Sequence, residues 1–169
     1  MATATYFFDG NIGLTGASGW TDLTNSSNGN TANYAEGSNF SILTIEGTDA
    51  PTTGGTITQV RARIFGSNTN NFDFDTYIKT EADEFLNGGP TTLGPGDIGG
   101  LTSGAWGVYE ILSAPTAGWS WDTLSKLKST SKQGSGAPFG TREARVNRIE
   151  IEVTYSTFNP AMGHRKLLL

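Results

Sequence analysis

Short segments in which apolar and polar residues alternate recur along the chain, and they predict β-strands. The clearest spans residues 56–65, where apolar residues at even positions alternate with Arg61 and Arg63. Residues 148–155 repeat this alternation, and residues 72–79 show it a third time. A period of two is the pattern of a strand with one buried face and one wet face. The sequence therefore predicts at least three strands of an antiparallel sheet.

Weaker apolar segments bring the expected number of strands to about seven. They cover residues 3–8, 40–45 and 108–112 and a short stretch around Leu127. Gly, Ser, Thr and Asn dominate the stretches between them, as expected of turns and long polar loops. We therefore expect an all-β fold: a single antiparallel, jelly-roll-like β-sandwich over residues 1–157. Residues 158–169 are then a C-terminal arm.

Two local features interrupt this regular pattern. The inward parity of the last strand slips near Asn147, which predicts a β-bulge or a strand start there. Residues 119–127 predict a short helical turn capped by Ser120 or Asp122.

The polar face of the last strand carries two carboxylates, Glu150 and Glu152. We expect them on a solvated face, with pairing to Arg61 and Arg63 across neighbouring strands as the alternative. Carboxylates this close on one strand do not form the opposed pair of a glycoside hydrolase.

Amino-acid composition excludes several classes of function. The chain of 169 residues has 11 Lys and Arg against 16 Asp and Glu, no Cys, and His164 as its one histidine. The absence of Cys excludes disulfides and thiolate chemistry, and with the one histidine in the C-terminal tail we expect no Ser-His-Asp triad within one chain. The net negative charge disfavours nucleic acid and anionic membranes as partners, and no apolar run approaches the roughly 20 residues of a membrane span. We therefore expect a soluble product of the cytosol that is not an enzyme.

Carboxylates and tryptophans are the remaining candidate chemistry. No cofactor is predicted, and calcium is the alternative left open, because carboxylate and loop oxygens suit it without any EF-hand spacing. Its candidate ligands are Asp73, Asp75, Asp83 and Glu84. Trp119 and Trp121 are expected to cover the end of the core. Trp20 and Trp106 lie in Gly-rich stretches and are candidate platforms for sugar rings.

Four segments together resemble the β-sandwich structural proteins of tailed-phage virions. In that group a strand begins after a Gly-Thr turn, as in residues 51–66, and a Trp-x-Trp-x-x-Leu turn precedes the penultimate strand, as in residues 118–127. The last strand ends in a Val-Thr-Tyr-like tripeptide, as in residues 145–155, and the opening Tyr-Phe-Phe-Asp-Gly-Asn at Tyr6 is similar too. The resemblance implies a virion component made in the host cytoplasm: a capsid decoration or cement protein, or a minor head or tail protein.

This resemblance implies a homo-oligomer on the particle, bound to the major capsid protein or to other virion proteins. The candidate docking residues lie near the two ends of the chain: Tyr6, Phe7 and Phe8, and then Phe158, His164, Arg165, Leu167, Leu168 and Leu169. A frayed terminus is the alternative for the second group. The competing function is a carbohydrate-binding module, on a virion or free, that uses Trp20 and Trp106.

Overall fold

Antiparallel strands make up most of the computed structural model, which describes residues 1–16, 20–27, 35–38, 42–68, 74–87, 105–133 and 143–157. The strands are β1 (Ala2–Gly16), β2 (Trp20–Thr21), β3 (Ala35–Ser38), β4 (Ile42–Thr48), β5 (Ile57–Asn68), β6 (Phe74–Lys79), β7 (Ala105–Trp106), β8 (Glu110–Ile111), β9 (Lys128–Gln133) and β10 (Glu143–Tyr155). A 3-10 helix covers Leu23–Ser26, and helix α1 covers Trp121–Ser125. The expected antiparallel all-β class is confirmed.

Strand β1 pairs with a different partner in each of its halves. Its first half, from Ala2 to Phe7, pairs with β10, and its second half pairs with β4. The register shifts between Phe8 and Gly13, and Gly10 lies there in the left-handed region with φ +67°. Glycine adopts this conformation without the steric cost of a Cβ atom. The strand bends at this bulge, and the sheet curls with it.

The strands form one curled antiparallel sheet in the order β2-β3-β10-β1-β4-β9-β6. Strand β5 also pairs with β10 and carries β7 and β8 on its outer edge. Further along this edge, the Leu112 amide donates to Val60 O at 2.9 Å, and the Ser113 amide donates to Leu86 O at 2.6 Å. The Leu86 amide donates to Ile78 O of β6 at 2.9 Å. Backbone hydrogen bonds thus link β5 to β6 through two short segments.

The hydrophobic core lies on the concave side of this sheet. Its fully buried members include Val60, Ala62 and Ile64 of β5, Ile149, Ile151 and Val153 of β10, and Leu43 and Ile45 of β4. The inward parity expected from the sequence for β5 and β10 is confirmed. The predicted slip in β10 is also present, as a register shift between Val146 and Arg148.

Helix α1 closes one end of the core. Ser120 caps it by accepting a hydrogen bond from the Thr123 amide at 3.0 Å. Trp121 is 6% exposed, and its indole Nε1 donates to Gly55 O at 2.6 Å. The predicted helical turn and the predicted role of Trp121 as a cover for the core are both confirmed.

Candidate functional site

Two carboxylates and two arginines face each other on the outer side of β10 and β5. The register places Glu150 opposite Arg63 and Glu152 opposite Arg61. In each pair, arginine Nε lies 2.7 Å from glutamate Oε1. The cross-strand pairing considered from the sequence is confirmed. The expectation of a solvated face is wrong for Glu150, which is only 3% exposed.

Glu150 is buried because Tyr109 lies over it. The Tyr109 hydroxyl donates to Glu150 Oε1 at 2.7 Å, and Arg148 Nε lies 3.3 Å from the other carboxylate oxygen. With Arg63 included, one carboxylate has three partners, which offsets the cost of removing its charge from water. Burial, together with the hydrogen bond to this carboxylate, raises the pKa of Tyr109 to about 12. Tyr109 is therefore a neutral donor at any physiological pH.

The same arginines stack on aromatic rings. The guanidinium carbon of Arg63 lies 4.0 Å from the ring centroid of Trp106 and 4.3 Å from that of Tyr109, and Arg61 lies 4.3 Å from the Tyr109 ring. Phe65 packs edge-on against Trp106 at 5.1 Å. A guanidinium stacks well on aromatic faces while its N–H groups bind carboxylates. We call this surface the arginine–aromatic face; it comprises Arg61, Arg63, Trp106, Tyr109, Glu150 and Glu152.

Two exposed apolar residues lie within two positions of Tyr109 in the chain. Val108 is 79% exposed and Ile111 is 67% exposed, and Ile111 pairs with Arg61 across β8 and β5. On the opposite border, Phe7 of β1 pairs with Glu150, and the Arg148 guanidinium lies 5.0 Å from the Phe7 ring. The face therefore combines fixed charges, aromatic rings and a water-exposed apolar edge.

A second surface is a cleft of about 400 Å³ beside helix α1. It is lined by Thr80, Glu81, Ala82, Glu84, Pro115, Ala117, Asp122, Thr123 and Lys126, and we call it the acidic cleft because three carboxylates face one ammonium group. Lys126 Nζ lies 3.0 Å from Asp122 Oδ2 and 3.9 Å from Glu81 Oε2. The hydrogen bond to Asp122 and the charge of both carboxylates raise the pKa of Lys126.

The N-terminal docking candidates have three different environments. Tyr6 packs edge-on against Trp121 with ring centroids 6.0 Å apart, and Phe7 borders the arginine–aromatic face. Phe8 is 0% exposed and belongs to the core, so its side chain offers no surface to a partner. Residues 158–169, which hold Phe158, His164, Arg165, Leu167, Leu168 and Leu169, lie outside the described residues.

The two glycan candidates are placed unequally. Trp20 is in β2, where its backbone pairs with Gly37, and its ring lies outside what the structure describes. Trp106 is half-buried, and Arg63 lies over its ring.

Where the structure describes their side chains, the calcium candidates contact other side chains or backbone groups of the protein. Asp83 is largely exposed, with Oδ1 3.7 Å from Lys128 Nζ, and Glu84 Oε1 accepts two hydrogen bonds from Thr116, each of 2.9 Å. Of Asp75 only the backbone is described, in β6, and Asp73 lies outside the described residues. Within the described ranges, no group of three or more His, Cys, Asp or Glu is arranged to hold a metal ion. Calcium remains a prediction.

Sequence reasoning missed Tyr109 and the acidic cleft. Tyr109 and Ile111 are two residues apart in a segment predicted to be a strand, and this spacing indicates that their side chains lie on the same side. The cleft gives no such signal, because its lining comes from three segments, residues 80–84, 115–117 and 122–126.

The chain was compared with family models, curated proteins and solved structures, and none of them matches it. In the described part of the chain, no helix is long and apolar enough to cross a membrane. We therefore infer a function from the residues and surfaces of the chain itself.

Proposed function

We propose that this chain is a non-enzymatic virion structural protein, a capsid decoration or cement protein that stabilises the particle by bridging neighbouring subunits. In this proposal the curled sheet belongs to a jelly-roll-like sandwich, the protein is made in the host cytoplasm, and its partners are the major capsid protein or other virion proteins. It acts as a homo-oligomer on the particle, without a cofactor, nucleic acid or membrane. The resemblance of residues 51–66, 118–127 and 145–155 to phage structural proteins supports this assignment.

The observation that carries the proposal is the exposed apolar edge of the arginine–aromatic face. Val108 and Ile111 are mostly in water although both are large apolar residues, and a partner surface would bury them. Trp, Tyr and Arg, which make up the face together with two glutamates, are enriched in protein interfaces and their hot spots.

The arginine–aromatic face also has the rigidity that a docking surface benefits from. The ion pairs and the stacking hold both arginines in place before any partner arrives, so that binding orders few side chains. The carboxylates of the face are engaged by arginines, an arrangement that favours recognition over acid–base chemistry.

The first test is a copy count in particles purified from the source, by mass spectrometry of the sedimented fraction. A copy number comparable with that of the major capsid protein supports a decoration protein, and a few copies indicate a tail or vertex component instead. Absence from the particles refutes the proposal.

A variant then tests the surface itself. Val108→Asp combined with Ile111→Asp is expected to abolish sedimentation of the purified protein with particles that lack it. The matched control is Ile12→Asp, because Ile12 is also exposed, at 53%, but lies outside the arginine–aromatic face. Equal retention of both variants would show that this edge is not the docking surface.

The second candidate function is a carbohydrate-binding module, on a virion or free. Trp106 favours it, since this half-buried ring stands beside arginine and tyrosine groups that bind sugar hydroxyls. Trp20 is the other sequence candidate for this role. A glycan array followed by tryptophan fluorescence titration is the test: binding is expected to disappear in Trp106→Ala and to persist in the control Trp119→Phe. A protein that is silent toward glycans rejects this function.

A further inference from the structure

The acidic cleft has the charge and surface to receive a basic, apolar peptide segment. Glu81 and Asp122 are mostly exposed, with 69% and 61% of their side chains in water, so their charges are accessible at the cleft mouth. Three carboxylates against Lys126 leave the lining net negative. Ala82, Pro115 and Ala117 add apolar walls. Its volume lies within the roughly 300–1,000 Å³ typical of clefts that bind ligands.

The described chain ends next to the helix that forms one wall of this cleft. Tyr155 packs against Trp121 with ring centroids 5.0 Å apart, and the Ser156 amide donates to Thr56 O at 2.8 Å. Trp121 is the first residue of α1, and Asp122 follows it directly in the cleft lining. Helix α1 rises by about 1.5 Å per residue, so Lys126 lies only about 8 Å further along.

The number of residues that follow Thr157 sets how far this segment can reach. Residues 158–163 separate it from His164, and six extended residues span up to about 20 Å. A tether this short gives the segment an effective concentration of about millimolar at a site within its reach. The chain's own segment therefore has an advantage over a second copy at ordinary protein concentrations.

The sequence of this segment is complementary to the cleft. Arg165 and Lys166 supply positive charge, His164 adds an imidazole that forms hydrogen bonds, and Leu167 to Leu169 supply apolar side chains that water disfavours. We propose that residues 164–169 of the chain dock in the acidic cleft of the same molecule, with the basic residues at Glu81 and Asp122 and leucine side chains against the apolar walls. This inference goes beyond the proposed function and does not depend on it, since it concerns the isolated protein.

A spin label in the segment tests this docking directly. The chain has no cysteine, so Met162→Cys provides a single attachment site for a nitroxide on the full chain. The amide NMR signals of Ala82, Ala117 and Lys126 are expected to lose most of their intensity when the label is active and to recover when it is reduced. The signal of Asp22, which is outside the cleft, is the internal reference. No loss at the cleft residues overturns the proposal.

Charge reversal tests the complementarity. Arg165→Glu is expected to restore the cleft signals in the labelled chain, and Glu81→Lys in the same chain is expected to bring the loss back. Asp22→Lys, which changes an exposed carboxylate away from the cleft, is the matched control and is expected not to rescue Arg165→Glu. Rescue by both lysine variants, or by neither, contradicts docking at this cleft.

A mixed sample separates docking within one molecule from exchange between copies. Isotope-labelled protein without a nitroxide is mixed with unlabelled protein that carries it. Signal loss at the cleft is expected to be absent in this mixture. Loss in the mixture as strong as in the singly prepared chain shows that the segment occupies a second copy, and this result also overturns the proposal.

Discussion

The buried carboxylate of Glu150 provides a sharp test of how the arginine–aromatic face is held together. In Glu150→Gln the side chain keeps its size but loses its charge, and with it the attraction to Arg63 and Arg148 and the charged acceptor for Tyr109. Removing one partner from a fully buried ion pair costs about 3–5 kcal/mol. Here 28% of the Arg63 side chain and 24% of the Arg148 side chain are exposed, so water can solvate both guanidinium groups when the carboxylate charge is removed. We therefore expect the free energy of unfolding to fall by about 2–3 kcal/mol, at or just below the lower limit of that range.

The assay is urea unfolding followed by tryptophan fluorescence, with thermal unfolding as a second measure. For a chain of this size, about 2–3 kcal/mol corresponds to a fall in Tm of about 5–10 °C. The matched control is Glu152→Gln. Glu152 has one arginine partner, with 39% of the Arg61 side chain and 19% of its own exposed, and a pair this wet contributes about 0.5–1 kcal/mol. A Glu150→Gln variant as stable as wild type, or a control that loses as much, would refute the idea that burial and the number of partners set the strength of these ion pairs.

Three further predictions address the fold. Gly55→Ala places a methyl group against the Ser156 carbonyl. This clash with the backbone is expected to lower the free energy of unfolding, measured in urea, by more than about 2 kcal/mol. A decrease below about 0.5 kcal/mol would argue against this close packing. The pKa of Tyr109 is raised from 10.0 to about 12 in the folded state, so the neutral hydroxyl stabilises the fold below pH 10, and this contribution is lost as the pH rises toward 12. Tyr109→Phe is expected to flatten the pH dependence of the unfolding free energy between pH 10 and 12. An unchanged slope contradicts this prediction. Ser120→Ala removes the acceptor for the Thr123 amide and is expected to lower the unfolding free energy by about 1 kcal/mol, whereas Ser120→Asp, which keeps an acceptor, is expected to stay close to wild type.

The central strands of the sheet could be predicted because each buries one face against the core. From Val60 to Ile64 in β5 and from Ile149 to Val153 in β10 the apolar residues have a period of two, and the structure buries every one of them. Strand β1 was predicted only as residues 3–8, although it extends to Gly16. Its second half contains Gly10 and Gly13 and lacks alternation, and pairing with β4 rather than its own pattern makes it a strand. The very short β2, β3 and β7 carry no pattern long enough to read.

The site was harder to predict than the fold because it depends on contacts between distant segments. The sequence favoured a solvated face for the glutamates, and their pairing with arginines of another strand, which the structure shows, was the alternative. It did not indicate that Tyr109, which is 41 residues from Glu150, would cover one of these glutamates and bury it. Side chains of opposite charge on neighbouring strands indicate an ion pair. Whether that ion pair is buried depends on which other segments of the chain pack over it.

The division of β1 between two partners has a mechanical consequence. Ala2 to Phe7 are bonded to β10, and Gly13 to Gly16 are bonded to β4, so one unbroken backbone runs through both parts of the sheet. A pull along this strand loads many of its hydrogen bonds side by side, in shear, instead of opening them one after another. Tension that arrives at one of these two parts of the sheet through β1 is therefore carried to the other by the covalent bonds of its backbone.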